Sequence, residues 1–226
     1  MQTIEVHPDG GRADAAVIVL HGLGADGTDF LPFADEIDLS AIGAVRWLLP
    51  RAPVRPVTIN NGYRMRAWYD IYGAELEGGG AARSRREDNA GLRESFADVH
   101  RLIEREIARG VPARRIVLAG FSQGCAVTLG AGLRCPHRLA GLAGMSGYLP
   151  LASALAAERH AANAGVPIFL AHGTQDDVVV PDRGTASRDA LQALGWPVEW
   201  HTYPMQHSVC IEEVQDLQAW LLRVLA

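Results

Sequence analysis

Apolar and polar positions along this chain predict short buried strands separated by helices. Runs of mostly apolar residues, typical of strands buried on both faces, predict strands at Ala15–Leu20, Val45–Leu49, Arg115–Ala119, Leu139–Met145 and Pro167–Ala171. Val198–Tyr203 alternates like a final strand. Helical spacing and capping signals predict helices at Thr28 to about Leu39, Asn89–Arg109, Cys125–Leu133 and Val209–Leu225. This alternation favours an α/β fold, with a mostly parallel central sheet flanked by helices on both faces.

The chain shows no boundary between two domains. Its 226 residues, 48% of them hydrophobic, suffice for one sizeable core. No internal repeat and no Pro/Gly-rich linker separates two such cores. The segment Gly73–Arg86 differs in composition from the rest of the chain, with three consecutive glycines and three arginines. We interpret it as a mobile surface loop. We therefore predict a single domain spanning residues 1–226.

The pattern Gly120-Phe121-Ser122-Gln123-Gly124 follows a predicted buried strand and precedes a predicted helix. A serine on so sharp a turn holds its hydroxyl above the sheet, and the flanking glycines let strand and helix approach without a Cβ clash. In this context, G-x-S-x-G predicts a nucleophile elbow with Ser122 as the nucleophile. Ser146 follows another strand but lacks the elbow pattern, so a turn residue is the better interpretation.

A nucleophilic serine of this kind needs a base and an orienting acid, which follow it in the order Asp or Glu, then His. His207 lies in the loop before the last predicted helix and is the candidate base, whereas His201 falls inside the alternating strand. The loop after Pro167–Ala171 offers two adjacent carboxylates, Asp176 and Asp177. Either one fits the acid, because neighbouring loop residues face either way. Asp182 is interpreted as a cap for the following helix.

The early glycine-rich loop supplies a candidate for the second half of an oxyanion hole. One backbone N–H is expected from Gln123, directly after the nucleophile, and the other from Leu23 in Gly22-Leu23-Gly24. A phosphate-binding loop is the weaker alternative, because no Gly-Lys-Ser/Thr follows as in a P-loop.

Composition narrows the classes of partner. The formal net charge of −5 leaves no basic footprint for nucleic acid. The N-terminus has no secretion-signal pattern, and no apolar run approaches the roughly 20 residues that span a bilayer, so we expect no integral membrane association. Three cysteines without metal-ligand spacing fit reduced thiols in a cytoplasmic protein, with no metal site.

Five motifs in the same order resemble bacterial carboxylesterases related to acyl-protein thioesterases, in the phospholipase/carboxylesterase family of α/β-hydrolases. They are His21-Gly-Leu-Gly-Ala-Asp-Gly, Ala67-Trp-Tyr-Asp-Ile71, Ala119-Gly-Phe-Ser-Gln-Gly124, His172-Gly-x-x-Asp-Asp-Val-Val and Tyr203-Pro-Met-x-His-Ser-Val-Cys. The resemblance implies an α/β-hydrolase fold without a large lid domain and a cofactor-free hydrolase. By position it implies Ser122 as nucleophile, His207 as base and Asp176, rather than Asp177, as acid. The resemblance also implies the backbone N–H groups of Leu23 and Gln123 as donors to the oxyanion.

The same resemblance places an acyl pocket beside the Trp-Tyr-Asp segment. It makes Trp68, Tyr69 and Leu76 candidate acyl contacts, with Val179 facing them from the acid loop. Ordinary core packing is the competing interpretation for each aromatic residue. Two positions depart from the family pattern: Cys125 and Gln206 both stand where glycine is usual. A thiol so close to the nucleophile suggests sensitivity to thiol reagents.

The expected activity is hydrolysis of carboxylic esters, with short to medium acyl chains, and of acyl thioesters, through an acyl-enzyme. A protein thioesterase or lysophospholipase as the main activity is the alternative within enzymes. A further alternative is the specificity of a dienelactone hydrolase or of a peptidase on the same fold. Ser122 argues against a dienelactone hydrolase, because the elbow of those enzymes normally carries cysteine. A non-catalytic ligand-binding protein on the same fold is the alternative of another class. The expected partner is a small ester or acyl-thioester substrate, and a homodimer is compatible with the sequence.

Overall fold

The computed structural model describes residues 1–6, 11–72 and 87–226, which contain nine strands and six α-helices. The strands are β1 (Thr3–Val6), β2 (Ala15–Leu20), β3 (Val45–Pro50), β4 (Val54–Val57), β5 (Tyr63–Arg66), β6 (Ile116–Phe121), β7 (Gly141–Met145), β8 (Ile168–Gly173) and β9 (Val198–Tyr203). The helices are α1 (Leu31–Glu36), α2 (Asn89–Ala108), α3 (Gln123–Arg134), α4 (Ala152–Glu158), α5 (Pro181–Ala193) and α6 (Ile211–Leu225). The segment Gly73–Arg86, predicted to be a surface loop, lies outside the described residues.

Seven strands form the main sheet in the order β1-β3-β2-β6-β7-β8-β9. Every neighbouring pair is parallel except β1 and β3, which are antiparallel. After β2 the chain moves outward to β3, whereas β6 lies on the other side of β2. The carboxyl ends of β2 and β6 therefore border a point where strand order reverses, the usual position of a ligand crevice in such sheets.

Side chains on the two faces of the sheet enter two separate cores, because successive strand residues point to opposite faces. Ile18 of β2 joins the core covered by α2, α3 and α5, and Val17 joins the core covered by α1 and α6. Both residues are completely buried. The prediction of a mostly parallel sheet with helices on both faces is confirmed. Among the helices of the described ranges, none is long and apolar enough to cross a membrane.

The predicted helix from Thr28 to Leu39 is wrong. The structure has a 3₁₀ turn at Gly27–Phe30, followed by the six-residue α1. Asp26 causes the difference: its carboxylate accepts the Thr28 N–H, and its own N–H donates to the Asp29 carboxylate. This reciprocal cap starts the turn at Gly27, so Asp26 is its capping residue and Thr28, which we expect from the sequence to cap a helix, lies inside the turn.

Three smaller features also differ from the sequence prediction. The antiparallel strand β1 and the β4–β5 hairpin were missed. Asp182 does not cap α5, because the helix begins at Pro181 and Asp182 already lies in its first turn. Proline is well suited to a first helical position, because its missing N–H would have no partner there in any case.

A carboxyl group is buried without compensation in the first turn of α6. Glu213 is completely buried, and no hydrogen-bond partner within the described residues reaches either carboxylate oxygen. Burial raises the pKa of Glu213 from 4.5 to about 8. Glu213 is therefore mainly protonated at neutral pH.

We expect Glu213→Gln to remove a pH dependence of stability. Between pH 4.5 and 8 the folded chain keeps a proton on Glu213 that the unfolded chain releases, so stability falls as pH rises and levels off above pH 8. Over this window the wild type should lose ~5 kcal/mol relative to Glu213→Gln in urea unfolding. The matched control is Glu212→Gln, at the exposed neighbouring carboxylate. Parallel pH–stability curves for wild type and Glu213→Gln would contradict the assignment.

Candidate active site

Two glycines make the sharp turn at Ser122 sterically possible. A Cβ on Gly124 would lie 2.0 Å from the Leu20 carbonyl oxygen, and one on Gly120 would lie 2.3 Å from the Gly124 carbonyl oxygen. Ser122 itself has φ 56° and ψ −116°, in the region that non-glycine residues rarely adopt. Its N–H donates to the Met145 carbonyl at 2.9 Å, which ties the turn to the end of β7. The serine therefore stands between β6 and α3 at the carboxyl edge of the sheet.

Three side chains from distant parts of the chain meet at this edge. The His207 Nε2 lies 2.9 Å from the Ser122 Oγ, and the His207 Nδ1 lies 2.7 Å from the Asp176 Oδ2. With Nδ1–H donating to the carboxylate, Nε2 is free to accept the serine hydroxyl proton. The Phe121 ring contacts the imidazole, with ring centroids 4.8 Å apart.

The structure separates the two aspartates that sequence reasoning left open. Asp176 is 3% exposed, and its Oδ1 accepts the N–H groups of Val178 and Val179 at 2.9 and 2.8 Å. Asp177 is exposed. The turn that buries Asp176 therefore leaves its Oδ2 for His207. His201 lies elsewhere, stacked on Phe169 at 5.0 Å.

The glycine-rich loop after β2 is held by contacts on both of its sides. His21 Nδ1 bonds the Gly22 carbonyl at 2.7 Å, and its Nε2 accepts the Ala52 N–H at 3.0 Å. Burial lowers the pKa of His21, which keeps the ring neutral and Nε2 an acceptor. On the other side, Asp26 forms ion pairs with Arg51 and Arg66, each at 2.8 Å. The loop is fixed before any substrate binds.

These contacts also decide against a phosphate site in this loop. Gly22, Gly24 and Gly27 have the G-x-G-x-x-G spacing that is typical of dinucleotide-binding loops. However, they lead into a four-residue 3₁₀ turn rather than a long helix, and the Asp26 carboxylate occupies its N-terminus. A negative charge at that position opposes a bound phosphate.

A groove of about 270 Å³ opens beside Ser122. Both predicted oxyanion donors, Leu23 and Gln123, line it, as do the predicted acyl contacts Tyr69 and Val179. Leu76 lies outside the described residues. Tyr148, which the sequence places beside the cleft because it follows β7 at the same sheet edge, lines the groove as expected. Sequence reasoning had not assigned these further lining residues: Ile59, Asn60, Asp70, Ile71, Tyr72, Glu87, Asp88, Val178 and Arg183. Arg183, on α5, gave no signal in the sequence.

Trp68 is not an acyl contact, contrary to the prediction. It is completely buried and is not part of the groove lining. Its ring nitrogen donates to the His21 carbonyl at 2.8 Å, and its backbone N–H donates to the Gln123 Oε1 at 2.7 Å. The Gln123 Nε2 donates in turn to the Tyr69 carbonyl at 2.8 Å. Trp68 therefore packs behind the groove wall and connects it to the loop after β2.

The two departures from the family pattern have local explanations. Cys125 is completely buried against Gly144 and Gly147, and burial raises the pKa of its thiol to about 12. A neutral, inaccessible thiol does not react readily, so the structure speaks against the predicted reagent sensitivity. Gln206 is exposed and has no positive φ, so glycine is not required there. Ser146 is buried in a turn after β7, with φ 47°.

We expect Asp176→Asn to lower kcat by about 10³- to 10⁴-fold, because the amide no longer favours the His207 tautomer that accepts the serine proton. Asp177→Asn, the matched control at the exposed neighbour, should change kcat less than about threefold. Steady-state hydrolysis of a p-nitrophenyl ester measures both. A severe loss in Asp177→Asn alone would exchange their roles.

Comparison with known proteins agrees with this geometry. The sequence profile of the phospholipase/carboxylesterase family matches residues 1–225. The chain is 41% identical to acyl-protein thioesterase 1 of Yarrowia lipolytica over 211 residues, 92% of this chain and 90% of that protein. Its fold is similar to the crystal structure of Arabidopsis thaliana SOBER1, with a TM-score of 0.86 and 31% identity over 94% of this chain and 99% of that one. Zea mays acyl-protein thioesterase 2 gives a TM-score of 0.85 at 29% identity, over 100% and 99% of the two chains. The chain therefore belongs to the phospholipase/carboxylesterase family and is a hydrolase with the α/β-hydrolase fold.

Proposed function

We propose that this protein cleaves carboxylic esters and acyl thioesters through a serine-bound acyl intermediate. The observation that carries the proposal is the continuous chain of contacts Ser122 Oγ, His207 Nε2, His207 Nδ1 and Asp176 Oδ2, at 2.9 and 2.7 Å. In this proposal Ser122 is the nucleophile, His207 the general base and Asp176 the orienting acid.

Acylation begins when His207 Nε2 takes the proton of the Ser122 hydroxyl as Oγ attacks the acyl carbonyl carbon. The carbonyl oxygen becomes an oxyanion, for which we propose the backbone N–H groups of Leu23 and Gln123 as donors. Each donor of this kind lowers a barrier by ~3 to 4 kcal/mol. The contacts of His21 and Asp26 support this role, because a fixed loop needs no reorganisation during the reaction.

Collapse of the tetrahedral intermediate breaks the bond to the leaving oxygen or sulfur. The His207 imidazolium, stabilised by Asp176, gives its proton to an alkoxide leaving group, whereas a thiolate leaves with less assistance. Water then attacks the acyl-enzyme, with His207 again as base, and releases the carboxylic acid and free Ser122. The cycle needs only groups described in this site.

The groove supports an acyl chain as the part of the substrate that is recognised. Ile59, Ile71, Tyr69 and Val179 give it apolar walls, and burial contributes ~0.8 kcal/mol per methylene. We propose short to medium chains as the preferred substrates. The relatives named acyl-protein thioesterase favour a long-chain protein thioester as a second candidate, and lysophospholipid remains the third.

Localisation and assembly also stay proposals. All three cysteines are free thiols, Cys125 and Cys135 buried and Cys210 half-buried, which supports a reducing compartment such as the cytoplasm. We infer a single domain, since both cores flank one sheet. A homodimer stays a prediction from the sequence.

We expect Ser122→Ala to reduce ester hydrolysis by about 10⁴-fold or more, because Ser122 carries the hydroxyl that contacts His207 Nε2 among the described residues. Turnover of p-nitrophenyl butyrate and labelling by a fluorophosphonate measure the loss, and an unchanged urea-unfolding midpoint shows that the fold is retained. Near-normal turnover in this variant would refute the proposed nucleophile.

A substrate panel tests the acyl preference. We expect kcat/KM for p-nitrophenyl esters to peak at short to medium chain lengths, since the groove is of limited volume. The same panel should include a palmitoyl-thioester peptide and a lysophospholipid. A kcat/KM at least tenfold higher on the thioester peptide than on every p-nitrophenyl ester would instead establish the protein thioesterase as the main activity.

A further inference from the structure

One aromatic side chain stands between the catalytic groove and a second cavity. The groove beside Ser122 and a neighbouring cavity of about 340 Å³ share three lining residues: Glu87, Tyr148 and Arg183. The remaining described residues of the second cavity come from the segment after β7, from the start of α4 and from α5: Leu149, Ala152, Ser153, Ala186, Ser187 and Ala190. The shared residues therefore form a partition with an acyl groove on one side and open space on the other.

The partition is held in place by specific contacts. The Tyr148 hydroxyl hydrogen-bonds the Tyr69 hydroxyl at 2.7 Å, and the Arg183 guanidinium lies 3.5 Å from the centroid of the Tyr148 ring. A guanidinium stacked on an aromatic face is a favourable contact that restrains the ring. Glu87 is engaged elsewhere, since its carboxylate accepts the Leu151 N–H at 3.1 Å. Tyr148 therefore contributes the aromatic ring of the partition, and that ring is held by contacts with both Tyr69 and Arg183.

The second cavity offers apolar contacts to a chain that passes the partition. Leu149 and three alanines line it beside Ser153 and Ser187, and among its described lining residues only the shared Glu87 and Arg183 carry a charge. Most of these side chains are short, which leaves open space beyond the partition. Methylenes that crossed this boundary would meet the apolar surfaces of Leu149, Ala186 and Ala190.

We propose that Tyr148, braced by Arg183, is the specificity-determining residue that sets the upper limit of acyl length. The inference rests on the proposed function, because it assumes that an acyl chain attached at Ser122 runs along the groove. A chain that reaches the Tyr148 ring can extend no further, and additional methylenes then contribute no burial. Without the ring, groove and second cavity become one channel.

The test is a chain-length series of p-nitrophenyl esters on Tyr148→Ala. Each methylene that enters the second cavity should raise kcat/KM about fourfold, the factor equivalent to ~0.8 kcal/mol. The ratio of kcat/KM for laurate to that for hexanoate should therefore rise at least tenfold over wild type. Tyr148→Leu, which also removes the ring but keeps an apolar side chain, carries the same expectation if the alanine variant does not fold.

Two further variants test whether the Tyr148 ring itself sets the limit of acyl length. Tyr148→Phe keeps the partition but loses the hydroxyl contact with Tyr69, and should keep the wild-type chain-length profile. Ala186→Phe fills the second cavity from an exposed position on α5. Alone it should keep the laurate-to-hexanoate ratio of the wild type, and combined with Tyr148→Ala it should cancel the gain for laurate.

The outcomes separate this inference from the proposed function. An unchanged laurate-to-hexanoate ratio in Tyr148→Ala, with fluorophosphonate labelling of Ser122 retained, would overturn the inference and leave the hydrolase intact. A gain that Ala186→Phe does not cancel would overturn it as well. Absence of both hydrolysis and labelling in the wild-type protein would instead refute the proposed function.

Discussion

The close approach of α3 to the end of β2 is the constraint on which the site depends. Only glycine fits at position 124, where the backbone lies against the Leu20 carbonyl. This contact fixes the elbow that carries Ser122 and brings the loop after β2 beside the first residue of α3. Leu23 and Gln123, the two proposed oxyanion donors, come from the two segments that touch there. A single steric requirement therefore positions both the proposed nucleophile and the proposed oxyanion donors.

A second close approach organises the other half of the site. A Cβ on Gly173, at the end of β8, would lie 2.4 and 2.5 Å from the carbonyl oxygens of Met205 and Gln206. The acid loop therefore packs directly on the segment that precedes His207. Asp176 and His207 owe their 2.7 Å contact to this packing as well as to their own attraction. The two halves of the site depend on separate backbone contacts, and the imidazole joins them.

Sequence reasoning succeeded where a local rule fixes the geometry, and failed where a side chain's direction depends on distant contacts. Uninterrupted apolar runs predict buried strands such as β2 and β6, and the spacing of two glycines around Ser122 predicts the elbow. The β4–β5 hairpin was missed because β4 has only four residues, Val54-Arg-Pro-Val57, and a proline inside a run argues against a strand. Asp176 and Asp177 were inseparable from the residues alone, since only the folded turn buries one of them. Trp68 was misassigned because its ring is held by His21, 47 residues away.

Gln123 belongs both to the proposed oxyanion hole and to the wall of the groove. Its side-chain amide holds the main chain of Trp68 and Tyr69, while its own main chain contributes to the site beside the nucleophile. In the proposed mechanism, a change in the backbone at positions 68 and 69 would therefore affect catalysis as well as substrate recognition. Arg183 of α5 also lines the groove, but its guanidinium contacts the Tyr148 ring rather than the backbone beside Ser122. We therefore expect changes of substrate range to be tolerated better at position 183 than in the backbone at positions 68 and 69.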